Sequence, residues 1–210
     1  DLKKKYYQIK KFNPKLKGHW YDMARYDINI LQLLHKPELI KFVKEFFGTK
    51  VVFSGRPAIH VHDDENDRLV DPHQEAHNFS KDTIAFWAPL FDTNKNQGGL
   101  TVYKDSHKYG YFKHEFKHPR MGKKSWTKDY THVSPNIVKR FKKINLNIKA
   151  GSALLMHSSV IHCSYPTKKK GKVRITLTER FNPLQKIPFL KDENAPLRWT
   201  MAEPIDPNIQ

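Results

Sequence analysis

The spacing of apolar residues divides the chain into a helical start and a longer stretch of short strands. Pro37 suits the first turn of a helix, Leu39, Ile40, Val43 and Phe47 recur on one stripe, and Gly48 ends it. Beyond that helix the apolar runs shorten. Val51–Phe53, Ala58–His62, Thr83–Leu90, Gly99–Tyr103, Leu146–Ile148, Ala153–His157 and Val173–Thr178 read as strands, most of them bounded by Gly, Asn, Asp or Pro. In the last, Val173, Ile175 and Leu177 alternate with Arg174, Thr176 and Thr178, so one face is apolar and the other carries a guanidinium flanked by hydroxyls. Short strands spaced by turns after a helical start predict a mainly β fold with flanking helices, an antiparallel double sheet of the jelly-roll kind. Residues 1–17 are basic and aromatic without a clear period and read as an arm or an edge strand, within an N-terminal helical and basic flank over 1–50.

Composition narrows the classes. With 210 residues, 38% hydrophobic and 12% aromatic, the chain suffices for one domain with a core, taken as 1–210, and wholesale disorder is excluded. There is no internal repeat, no run approaching the roughly 18–20 apolar residues of a membrane span and no signal-peptide pattern. The sequence opens on Asp1 rather than Met, so residues are expected upstream. Cys163 is the single cysteine, which rules out a disulfide within the chain and fits a reducing, cytoplasmic location. The net charge of +17 favours anionic partners in general without choosing among them. Residues 108–143 hold eleven Lys/Arg against two Asp/Glu, together with Tyr109, Tyr111, Phe112, Phe116, Trp126 and Tyr130. This segment reads as a basic, lid-like insertion over a substrate site; a solvated insertion with a local helix at Pro135–Lys143 is the plainer alternative.

Candidate chemistry begins at His73-Gln74-Glu75. On a strand, residues i and i+2 share a face, so an imidazole and a carboxylate would stand side by side. With a distant histidine such a pair makes a facial triad that leaves open positions on an octahedral iron. His162 follows the apolar strand entered at Gly151, and Arg174 lies twelve residues further on, where it would grip a carboxylate if its face lines the interior. An ordinary exposed face on an amphipathic strand is the alternative. His62-Asp63-Asp64 is a rival His-x-acid pair in a turn-like acidic run, and His157 rivals His162. Arg56, His60, His77, Asn78 and His107 are further cavity candidates.

These elements, in this order, resemble the phytanoyl-CoA dioxygenase superfamily of Fe(II)/2-oxoglutarate-dependent oxygenases. The resemblance is carried by His73-Gln74-Glu75, the strand Ile84-Ala85-Phe86-Trp87-Ala88-Pro89-Leu90, Asn96-Gln97-Gly98-Gly99-Leu100, Ser106-His107-Lys108, and a His162-x-Ser164 element followed by Arg174. It extends over Val51–Phe181 and implies a double-stranded β-helix, that is, a jelly-roll, cupin-like barrel. It further implies His73, Glu75 and His162 as iron ligands and catalytic residues, with 2-oxoglutarate and dioxygen at the open positions. Arg174 would pair with the distal carboxylate of 2-oxoglutarate, helped by Ser164, and Trp87 would lie against it. The implied reaction is oxidative decarboxylation of 2-oxoglutarate coupled to hydroxylation of a bound substrate, which the basic, aromatic 108–143 segment favours as small and anionic or sugar-like, free or linked to a carrier. Departures from the family pattern are Glu75 where Asp is commoner, Asp105 in place of glycine before Ser106, Ser152 in place of an acid, and Thr167 near the usual Asn.

Two other readings stand beside this one. Arg174 and Arg180, six apart, also resemble the terminal arginine pair of AlkB-type nucleic-acid demethylases, whose substrate would suit the positive charge. A basic barrel that binds polyanions without catalysis is the other.

Overall fold

The computed structural model describes residues 2–14, 19–20, 24, 27–48, 51–53, 57–62, 70–77, 82–115, 132–166 and 171–183. Among the described residues, helices predominate up to position 48. Helix α1 (Leu2–Phe12) occupies the stretch expected as an arm or edge strand. Leu2, Tyr6 and Ile9 fall at i, i+4 and i+7 and face the core, and the lysines between them obscure that period in the sequence. Helix α2 (Ile28–Leu34) is capped by Asp27, whose Oδ1 accepts from Asn29 N–H at 3.0 Å, and it buries Ile30 and Leu34. Asp27 also pairs with Lys5, tying α2 to α1. Helix α3 (Pro37–Phe47) is the one expected: Pro37 begins it, Ile40 and Val43 are buried, and Leu39 and Phe47 pack against the same core. Gly48 stops it in the left-handed conformation, at φ 63°, its N–H donating to Lys44 O at 2.8 Å.

The rest is antiparallel sheet. Strands β1 (His19–Trp20), β3 (Ala58–His62), β11 (Arg174–Pro183), β4 (Ile84–Pro89) and β9 (Leu154–His157) lie side by side in that order, and β2 (Val51–Phe53) pairs with the far end of β11. The central strand β11 runs ten residues and is buried along almost its whole length. Ile59, Val61, Ile84, Phe86, Ile175, Leu177 and Phe181 point to the helices and form the main core with Ile30, Leu34, Ile40 and Val43. The opposite face of β4 presents Ala85 and Trp87 to a second cluster with Leu100 and Met156. Leu100 belongs to a three-stranded sheet of β10 (His162–Tyr165), β5 (Gly99–Tyr103) and β8 (Lys143–Asn145). Helices, a large sheet and a small sheet thus stack in layers. The architecture is mainly β with antiparallel sheets and a few helices; among the described residues no ladder joins the two sheets into a closed barrel.

Several expected boundaries move. The strand expected at Leu146–Ile148 lies instead at Lys143–Asn145, an edge strand whose solvent-facing Lys143 and Asn145 hide it from an apolar pattern. Ile148 is held by Thr93, which it contacts through both backbone groups. The helix expected over Pro135–Lys143 ends as α4 (Pro135–Val138), because Lys143 is drawn into pairing with Tyr103. Within the expected insertion, 116–131 lie outside the described residues, Phe116, Trp126 and Tyr130 among them. Its two ends meet as the short ladder β6 (His114–Glu115) with β7 (His132–Val133). Asp105, in the place of a glycine, takes the left-handed conformation at φ 63°, which aspartate tolerates better than most residues. Among the described residues no helix is long and apolar enough to cross a membrane.

Gly99 is needed for packing. It faces Tyr165 across the β5–β10 ladder, and a Cβ there would stand 2.6 Å from the Tyr165 hydroxyl oxygen and 2.8 Å from Cζ. That ring is buried, and its hydroxyl donates to Leu146 O at 2.9 Å. Gly99→Ala is therefore expected to destabilise the protein by about 1–3 kcal/mol through overpacking. Urea denaturation reads this directly, and an unchanged midpoint contradicts the packing assigned to Tyr165.

Candidate metal centre

Two distant histidines are joined through their backbones. His73 N–H donates to His162 O at 3.0 Å and His162 N–H to His73 O at 3.0 Å, forming a single antiparallel bridge. Side chains of such a pair stand on the same face, and the two imidazole centroids are 4.2 Å apart. The expectation that His73–Glu75 forms a strand is corrected: His73 is an isolated bridge residue, and Glu75 opens a 3-10 turn, Glu75–His77. The turn is fixed by Ala76 N–H donating to Ser158 O at 3.2 Å. It still delivers the carboxylate, with Glu75 Oε1 3.6 Å from His162 Nε2 and 3.9 Å from His73 Nε2.

Hydrogen bonding fixes which ring nitrogens face inward. His73 Nδ1 lies 2.8 Å from Asp71 O, and His162 Nδ1 lies 3.0 Å from Val160 O. A carbonyl only accepts, so each Nδ1 carries a hydrogen and each ring turns its Nε2 toward Glu75. Burial, reinforced by the nearby His162, pushes His73 down to about 3, so this ring is neutral near pH 7. Burial alone would raise the Glu75 carboxyl; the Arg180 guanidinium, with His162 and His73, outweighs it and holds the group well below the usual carboxylate range. Arg180 grips Glu75 as a fork, with Nε to Oε2 at 3.1 Å and Nη2 to Oε1 at 2.7 Å.

Two imidazole Nε2 atoms and one ionised carboxylate therefore converge, all three residues buried and their donor atoms within 4.8 Å of one another. The nitrogen–oxygen separations are too long for hydrogen bonds yet short enough for one ion to bridge with bonds of about 2 Å. This donor set fits a divalent metal of the first transition row. Among the described residues no other group of three His, Cys, Asp or Glu meets this condition.

A cavity open to solvent lies beside the donors, and Trp87, Ser164, Arg174, His60, Thr178 and Arg180 are among its walls. Arg174 is buried; its Nη1 donates to Gly99 O at 2.6 Å and Tyr165 O at 3.3 Å, while Nη2 reaches Ser164 Oγ at 3.4 Å. The hydroxyl and guanidinium face of β11 is thus interior, and the exposed-face alternative is corrected: Thr176 and Thr178 are buried with Arg174. Trp87 is buried on β4. Of the rivals, His157 takes a different part, its Nδ1 accepting from Ser159 N–H at 3.1 Å, and His107 is exposed. His60 and His62 line the cavity. Arg56, Asp63, Asp64 and Asn78, and the side chain of His77, lie outside the described residues.

The family model for phytanoyl-CoA dioxygenase (PhyH) matches residues 4–174. The chain belongs to this family. No curated protein matches it in sequence. Among solved structures, this PhyH-family chain is similar to the non-haem α-ketoglutarate-dependent epimerase SnoN from nogalamycin biosynthesis, at TM-score 0.58 and 15% identity, covering 90% of this chain and 70% of that one. A second SnoN structure contains Fe3+, α-ketoglutarate and nogalamycin RO; its TM-score is 0.59 at 16% identity, over 90% of this chain and 72% of that one. EctD from S. alaskensis matches with TM-score 0.60 and 12% identity, over 80% of this chain and 58% of EctD. AviO1 from Streptomyces viridochromogenes matches with TM-score 0.59 and 15% identity, over 81% of this chain and 69% of AviO1. At these identities the likeness establishes a shared fold.

The contacts made by two residues of this PhyH-family site were not anticipated. Arg180 shares the interior face of β11 with Arg174, Thr176 and Thr178, and the period of two would have placed it there had the strand been carried past Thr178. Gln74, between two of the donors, is fully buried and fastens the start of the basic segment. Its Nε2 donates to Gly110 O at 2.8 Å and Ser159 O at 2.7 Å, its Oε1 accepts from Phe112 N–H at 2.8 Å, and its own N–H donates to His114 Nε2 at 3.0 Å. The other end of that segment is tied down by Val133 N–H donating to Pro72 O at 2.8 Å. No single-residue sequence signal distinguishes such a glutamine from an exposed one.

Gln74→Leu strands several buried polar groups at about 1–3 kcal/mol each, so thermal unfolding of this variant should fall well below that of the wild type; an equal midpoint contradicts the clasp. The low value of His73 sets a pH dependence. In the unfolded chain this ring takes a proton near 6.5, whereas in the folded protein it does so only near 3. The unfolded state thus binds more protons between these values, and metal-free protein should lose stability as pH falls below about 6.5. His73→Gln should flatten the melting temperature against pH in that window; an unchanged slope contradicts a buried neutral ring.

Proposed function

We propose that this chain is an Fe(II)- and 2-oxoglutarate-dependent oxygenase, with iron held by His73, Glu75 and His162. The convergence of two Nε2 atoms and one carboxylate oxygen carries the reading. PhyH-family membership and the α-ketoglutarate dependence and Fe3+ of the similarly folded SnoN support the choice of metal and co-substrate. The two sheets facing each other are read as an open form of the double-stranded β-helix.

When bound, iron with 2-oxoglutarate supplies oxidative activation of dioxygen, and the co-substrate leaves as succinate and carbon dioxide. The protein does the rest by placement. Arg174, braced by Gly99 O and Tyr165 O, presents its guanidinium to the distal carboxylate of 2-oxoglutarate, with Ser164 Oγ beside it. Trp87, on the wall of the cavity, lies against the co-substrate and keeps water from it. His73 and His162 keep their protons on Nδ1, directed at backbone carbonyls, and so move none during turnover.

Hydroxylation is the proposed outcome, on a small anionic or sugar-like substrate. The described ends of the basic segment expose Tyr109 and Tyr111 among lysines, and Arg140 lies 6.0 Å from the Tyr109 ring centre. Such a surface suits charge pairing and ring stacking. The family match over residues 4–174 favours this reading over a nucleic-acid demethylase or a non-catalytic polyanion binder.

Release of labelled carbon dioxide from 2-oxoglutarate tests the assignment. His162→Ala should abolish both iron binding and release. Arg174→Ala should keep iron binding and raise the 2-oxoglutarate concentration for half-maximal release by the equivalent of about 1.5–3 kcal/mol, the range for a hydrogen bond to a charged group. Equal release by wild type and both variants rejects these roles.

A further inference from the structure

We infer that Arg180 is the positioning residue for the metal-binding carboxylate, pinning Glu75 so that Oε1 alone is offered to the ion. The inference rests on the reading of His73, Glu75 and His162 as ligands. It starts from the inequivalence of the two carboxylate oxygens. Oε1 faces both histidines, at 3.6 Å from His162 Nε2 and 3.9 Å from His73 Nε2. Oε2 is held by Arg180 Nε at 3.1 Å. Arg180 Nη2 also reaches Oε1, at 2.7 Å, but an ionised carboxylate oxygen has two lone-pair sites, so one remains for a metal. A carboxylate gripped in this way cannot rotate to offer both oxygens to the ion, so it takes up one coordination position and leaves three open beside the two histidines.

The chain has a reason to need such a grip. Glu75 stands where aspartate is commoner in the resembling family, and its extra methylene adds a torsion that must be frozen. The 3-10 turn fixes its backbone and leaves the arm to be held by whatever it meets. Arg180 is itself braced. It lies in the interior of the large sheet, opposite Ala85 on β4, and its Nη1 donates to Thr178 Oγ1 at 3.0 Å. The same hydroxyl is 3.1 Å from His60 Nε2 on β3. The carboxylate orientation is therefore set by two adjacent strands, β3 and β11, through His60, Thr178 and Arg180.

Binding of Co(II) to the purified full chain tests this, since its absorption reports coordination as well as affinity. Arg180→Gln should weaken Co(II) binding by about 10–100-fold, the usual consequence of losing a hydrogen bond to a ligating side chain, and should alter the visible absorption as the carboxylate turns. Arg180→Lys keeps the charge without the fork, and should recover part of the affinity but not the wild-type spectrum. Full recovery of both by lysine overturns the inference, because simple charge balance then suffices. So does an unchanged affinity and spectrum in folded Arg180→Gln. If that variant does not fold, Thr178→Val removes one brace only; a few-fold loss with the same spectral change supports the inference, and wild-type behaviour overturns it. Failure of the wild type to bind Co(II) rejects the ligand assignment itself, a separate result from any of these.

Discussion

The reciprocal pair of backbone hydrogen bonds between His73 and His162 is the constraint on which the site depends. It brings a loop and the start of β10 to one register, and from that register the imidazoles have nowhere to point but the same face. Everything else refines the placement. Carbonyls at Asp71 and Val160 select the inward nitrogen, and the turn at Glu75 swings the carboxylate across the gap. Burial without compensation would favour a neutral carboxyl there. The Arg180 guanidinium reverses that preference, so the site keeps a charged oxygen donor away from water.

Strand β11 divides its labour by period. Residues of one parity, Ile175, Leu177 and Phe181, complete the core under the helices. Those of the other parity, Arg174, Thr176, Thr178 and Arg180, line the cavity. A single central strand thereby links the folding core to both ends of the site, with one arginine toward Ser164 and the other toward Glu75. A shift of its pairing by one residue would exchange the two sets, and both the core and the cavity would be lost together.

The strength of the sequence reading lay in residue types and order. His73, Glu75 and His162 were singled out by the order of the motifs around them and do converge, and the alternation in Val173–Thr178 was regular enough to give both faces of β11. Helix α3 was legible from its proline, its stripe and its glycine. Local backbone was harder. His73–Glu75 looked like a strand because a period of two explains a shared face, whereas the structure achieves convergence with one bridge and a turn. Helix α1 was hidden by lysines within its stripe, and β8 by polar residues on an exposed edge. The clasp of Gln74 and the grip of Arg180 on Glu75 depend on segments far apart in the chain, which no window of sequence contains.

Anaerobic titration of the full chain with Fe(II) and 2-oxoglutarate tests the central claim most directly. Chelation of the keto acid to a ferrous ion held by two imidazoles and a carboxylate produces a weak charge-transfer absorption in the visible. The account predicts that band in the wild type and its loss in Glu75→Ala. Its absence from wild-type protein that is folded and saturated with both components would contradict the assignment.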